Sequence, residues 1–124
     1  MPIPFRSELQ AFLIEFAGTH RGVRLGTMFG LPALYVGRRL VACLIEHGLI
    51  VRLRDDLAVE EIRAKHARPY SRRGHRLGRW VMYAPRTARA ARVLVPVVER
   101  AARHVAEQQV EETTGIRLTR RRRT

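Results

Sequence analysis

Met28–Leu44, MFGLPALYVGRRLVACL, is the stretch whose reading decides the fold of this chain. Two apolar runs, ALYV and RLVACLIE, flank Gly37-Arg38. Glycine accepts a positive φ at low cost, so a two-residue link of this kind predicts a β-hairpin, not a catalytic loop or a ligand cradle. Downstream, His47-Gly48 predicts the next turn, and LIVRLR follows it. There Leu49, Val51 and Leu53 alternate with Ile50, Arg52 and Arg54, the period of a strand with one covered face. Upstream, VRLGTMF predicts a further extended segment, in which Gly26 marks a bulge or a close backbone approach. Gly30 and Pro32 punctuate the join.

Helical signals surround this meander. Ser7 and Gln10 have the spacing of a capping box, and Leu9, Phe12, Leu13 and Phe16 recur at helical intervals. Asp55 and Asp56 suit a helix start, where carboxylates meet free amides, and Glu60, Glu61 and Ile62 follow. PYSRRGHRLG predicts a polar loop, RWVMYA a last strand, and Pro85 its end. From Thr87 onward Ala91, Leu94, Val95, Val98, Ala101, Ala102 and Val105 form the strongest helical period in the chain. Pro96 inside it predicts a kink or two abutting helices. The fold class is therefore α+β: an antiparallel meander of about five strands, packed against an N-terminal helix, a short middle helix and a long C-terminal helix. Residues 1–112 make one domain, and residues 113–124 an Arg-rich tail expected to be disordered.

The chain has 124 residues, 46% hydrophobic and 28% charged, with a net charge of +13. That charge attracts polyanions. Arg117 and Arg120–Arg123 carry five of the positive charges, and taking them away still leaves +8. A single cysteine, Cys43, excludes an intramolecular disulfide and a cysteine-cluster metal site, and it fits a reducing cytoplasm. The N-terminal apolar positions are interrupted by Arg6, Glu8, Gln10 and Glu15, which argues against a signal peptide or a membrane span.

Chemistry-bearing patterns are sparse. His20, His47, His66, His75 and His104 lack zinc-ligand spacing, and solvated histidines are expected, His104 on the charged side of its helix. Ser7 reads as a cap, Ser71 beside His75 is unremarkable, and Cys43 sits mid-strand as a small hydrophobe. The paired acids read as helix caps. Gly26–Gly30 lacks the Lys-Ser/Thr of a phosphate cradle. No catalytic residue, cofactor or metal is therefore expected, and the chain reads as a non-enzyme. The basic segment remains, with Arg68, Arg72, Arg73, Arg76 and Arg79 and no acid among them. Tyr70 and Trp80 at its edges supply stacking groups. These arginines, with Arg120, Arg121, Arg122 and Arg123, are the candidate nucleic-acid contacts.

Taken together, MFG at Met28–Gly30, ALYVGRRLVACL, HGLIVRL and GRWVMY resemble the TfoX N-terminal domain family across roughly Phe5 to Glu107. That family is similar in architecture to the YjbR/MmcQ group. The resemblance implies helices packed on one antiparallel sheet, the MFG strand near a surface edge, and no catalytic residues to carry over. An Arg-rich tail stands here where the competence regulator of that family continues into a second domain. The expected function is a noncatalytic cytoplasmic binding or regulatory domain touching nucleic acid through the basic loop. The alternative is a protein-interaction or homodimerisation module; no membrane partner is expected.

Overall fold

The computed structural model describes the backbone of residues 5–72 and 75–123, and side chains at 5–71 and 79–110. Six antiparallel strands form one sheet: β1 (Val23–Met28), β2 (Leu31–Val36), β3 (Arg39–Ile45), β4 (Gly48–Arg52), β5 (Arg68–Arg72) and β6 (His75–Tyr83). Their order across the sheet is β1-β2-β3-β4-β6-β5. The helices are α1 (Gln10–Thr19), α2 (Asp55–Arg63), α3 (Ala88–Ala91) and α4 (Val95–Arg123). Among the described residues, no helix is long and apolar enough to cross a membrane.

The meander forms as its turn chemistry requires. Gly37, with φ at 60°, joins β2 to β3, whereas the β3–β4 turn is Glu46-His47, one residue earlier than the expected His47-Gly48, because Gly48 already pairs with Ile45 as the first residue of β4. Phe29 and Gly30 both have positive φ, 52° and 81°, the pattern of a type I′ hairpin turn. Gly26 marks a close approach, and no bulge forms there: it pairs in register with Ala33, and a Cβ would press on the Tyr35 ring at 3.2 Å. The bulge lies one ladder over. Leu34 opposes Ala42 while Tyr35 opposes Leu40, so Val41 is the extra residue. Both Val41 and Ala42 are consequently buried in the main core.

Three sequence expectations need correction. Within PYSRRGHRLG, Pro69–Arg72 belong to β5 and His75–Gly78 to β6, two paired strands and not a loop, which raises the strand number to six; Arg73 and Gly74 lie outside the described residues. An outer hairpin with a solvent face can carry Arg, Ser and Tyr because its backbone groups pair along the ladder, here Arg68 with Met82 and Pro69 with Val81. The Ser7 capping box does not form: Ser7–Leu9 is a 3₁₀ turn in which the Arg6 carbonyl accepts the Leu9 amide at 3.0 Å. The Arg6 amide in turn donates to the Ile45 carbonyl, tying this turn to β3. Pro32 lies within β2, opposite Thr27, instead of preceding the strand. The helix α4 runs as backbone to Arg123, and side chains beyond residue 110 lie outside the described residues.

The expected break near Pro96 takes the form of two abutting helices. Thr87 Oγ1 accepts the Ala90 amide and caps α3, a 3₁₀ turn follows at Arg92–Leu94, and α4 begins at Val95. Pro96 therefore occupies a first turn, where its missing N–H breaks no helical bond. One sheet face is roofed by Phe12, Leu13 and Phe16 of α1 and by Val98, Ala101 and Val105 of α4. These pack on Leu34, Val41, Leu44, Leu49, Val51 and Val81. Each such large aliphatic or aromatic burial contributes about 1.5–3 kcal/mol before entropy is charged.

Candidate nucleic-acid interface

Among the described residues, the other sheet face has no helical residue in its apolar cluster. Leu31, Ala33, Cys43 and Ile50 are buried there beneath partly buried Phe5, Met28, Tyr35, Leu40, Ile45, Tyr70, Trp80 and Met82. The strand pleat explains the division: Leu49 and Val51 point under the helices, while Ile50 and Arg52 point to the open side.

Among the described residues no strand contains Asp or Glu, whereas the strands carry Arg24, Arg39, Arg52, Arg68, Arg72, Arg76 and Arg79. Every acid lies on a helix, on the 3₁₀ turn at Ser7–Leu9, or in the β3–β4 turn. Arg24 lies over the Tyr35 ring, 4.8 Å from its centroid, and donates to the Gly37 carbonyl at 3.1 Å. Tyr35 itself donates to the Thr27 carbonyl at 2.8 Å. Arg52 sits opposite Trp80 across the β4–β6 ladder. Burial first, then the neighbouring Arg39 and Arg79 guanidiniums, push its pKa below the usual arginine value. Burial is the larger cause and the two neighbouring cations add to it, and Arg52 stays protonated at neutral pH.

The sequence-predicted arginines do not share one surface. Arg68, opposite Met82, belongs to the open face and is exposed. Arg79, three residues before Met82, turns to the helical side and pairs with Asp55 of α2 at 3.1 Å. Arg72 opposes His75 and Arg76 opposes Ser71 near the hairpin end, though their side chains lie outside the described residues. Arg73 lies outside the described residues altogether. Arg120, Arg121, Arg122 and Arg123 fall on the last turns of α4, again without described side chains. Sequence reasoning singled out Tyr70 and Trp80 but missed Arg24, Tyr35 and Arg52, which come together only once the strand bounds, with Glu46 left to the β3–β4 turn, are known.

On the helical side, titratable groups are paired into the fold. Tyr83, 3% exposed, donates to Glu61 Oε1 at 2.7 Å, and His66 Nδ1 lies 3.0 Å from Oε2. Burial raises the Glu61 carboxyl, but the His66 and Tyr83 hydrogen bonds together outweigh it and hold the group below the usual glutamate range. Burial, then Glu61, pushes the Tyr83 phenol far up. A carboxylate held ionised and a phenol held neutral brace α2 against β6, beside a cleft of about 520 Å³ that Arg100 also lines. His20 stacks on Phe16 at 3.8 Å and meets Glu99 of α4 at 2.8 Å. His104, expected in solvent, has Nε2 buried without a hydrogen bond, and burial followed by Arg54 and Arg79 lowers its pKa. Among the described residues no three His, Cys, Asp or Glu side chains converge as a metal site.

No family model, curated protein or solved structure matches this chain.

Proposed function

We propose that the chain is a noncatalytic binding module, of the TfoX N-terminal type its motifs resemble, that contacts nucleic acid through the sheet. One observation carries the reading: arginine is on the strands and acid is not, so phosphate meets a cationic layer whose counter-charges lie elsewhere. The surface differs from the basic loop that sequence suggests, because Arg79 is held by Asp55 while Arg24, Arg52 and Arg68 serve the open face. Binding of a labelled oligonucleotide measured against salt tests this. Three phosphate contacts give a log–log slope between about −2 and −3, and Arg52→Gln with Arg68→Gln makes it shallower by roughly 0.7–0.9 per arginine. No binding at low salt overturns the proposal.

A second reading, a homodimer through a sheet edge, is favoured by β1. This outer strand carries Leu25, 39% exposed, and is followed in its turn by Phe29, 72% exposed. Sedimentation of the wild type and Phe29→Asp decides it: a dimer that the substitution dissociates supports it, and a monomer at high concentration rejects it.

A further inference from the structure

Resting on the nucleic-acid reading above, we infer that the open sheet face is a stacking platform for single-stranded nucleic acid, DNA or RNA. Duplexes hide their base faces and offer phosphate and groove edges, which are read by elements that protrude into a groove. A sheet face with no helix or long loop in its cluster does not protrude. Unpaired bases do offer π faces, and aromatic side chains between guanidiniums are what such bases stack on.

The register arranges these groups in a row. Tyr35 opposes Leu40, Ala42 opposes Val51, and Arg52 opposes Trp80, so Leu40 and Arg52 occupy the same end of the β3–β4 ladder. Tyr35, Leu40, Arg52 and Trp80 therefore cross the sheet along that end, and Tyr70 continues the line on β5. Tyr35 and Trp80 stand three strand spacings apart, roughly 14 Å, and β5 adds about 5 Å more. That length suits a site of about four to six nucleotides. Bases stack on Trp80 and Tyr70, Tyr35 with Arg24 over its ring closes the row at the β2 end, and phosphates lie along Arg52, Arg24 and Arg68. Among the described residues the strands bring no carboxylate to the face to repel them. The rings are half-buried on Ala33, Cys43 and Ile50, so their orientation is set before a ligand arrives and little ordering entropy is lost on binding.

Trp80 is the only tryptophan, which makes the test direct. The full chain is titrated with dT12, with rU12 and with a 12-base-pair duplex, following both oligonucleotide anisotropy and Trp80 emission. Expected are at least tenfold tighter binding of a single strand than of duplex, and quenching of Trp80 on saturation. Trp80→Leu should weaken single-strand binding about tenfold with an unchanged salt slope, while Trp80→Phe keeps most of it. A difference between dT12 and rU12 assigns the platform to one sugar. Equal or tighter duplex binding without quenching overturns the platform but leaves the nucleic-acid reading standing. Failure of all three ligands to bind at low salt removes both. If Trp80→Leu does not fold, wild-type quenching and the Trp80→Phe affinity still decide.

Discussion

Replacing Tyr83 by Phe removes one oxygen from the interior and tests how α2 is fastened to the sheet. The ring is 3% exposed and its hydroxyl donates to Glu61 Oε1 at 2.7 Å. The Glu61 side chain is 16% exposed. Phenylalanine keeps the packing, so no cavity term enters, and the loss is that of a hydrogen bond to a largely buried charge, about 1.5–3 kcal/mol. His66 still holds Oε2, which places the expectation near 2 kcal/mol and lowers the thermal midpoint by roughly 6–9 °C. Urea unfolding followed by circular dichroism measures it, repeated from pH 7 downward. Because the Glu61 carboxyl is held below its unfolded value, its stabilisation is complete above the unfolded pKa, about 4.3, and disappears as pH falls through the folded one. Tyr83→Phe should therefore show a smaller acid-dependent loss than the wild type. A change under 0.5 kcal/mol at pH 7, or an identical pH profile, would refute the brace.

Burial pushes the Cys43 thiol up to about 11, and the residue has no exposed surface. A disulfide reagent at pH 8 should label it at least a hundredfold faster in urea than in buffer, and prompt native labelling would contradict its place in the sheet. Gly48→Ala aims a Cβ at the Tyr83 carbonyl from a backbone with φ at 156°, and neither ladder strand can yield. A loss of about 2–4 kcal/mol in urea unfolding is expected, and near-neutrality would place the Tyr83 carbonyl elsewhere. Phe29→Asn creates Asn-Gly at a turn where both residues have positive φ, and should raise stability by about 0.5–1 kcal/mol. A destabilised variant would mean that the exposed ring makes a contact worth more than its backbone strain.

The meander is legible in sequence because its determinants are local: Gly37 at the turn and the two-residue period of LIVRLR each act within a few positions. The sixth strand is not, since an Arg- and Ser-rich segment has the same composition in a solvated loop and in an outer hairpin. What separates them is β6 pairing with β4, Leu49 with Tyr83, more than thirty residues away. The same distance hides the brace. Glu61 beside Glu60 looks like a capping acid, yet it lies six residues past Asp55, beyond the first turn, where the fold brings Tyr83 and His66 to it. For the candidate interface the failure is one of parity. Arg68 and Arg79 belong to one basic segment, but once that segment is two strands the pleat sends Arg68 to the open face and Arg79 to Asp55. A charge run read along the chain counts both alike, whereas a phosphate approaching the open side meets Arg68 with Arg52 and Arg24, residues drawn from three separate strands. For the proposed surface, strand parity therefore sorts these arginines where arginine density along one segment does not.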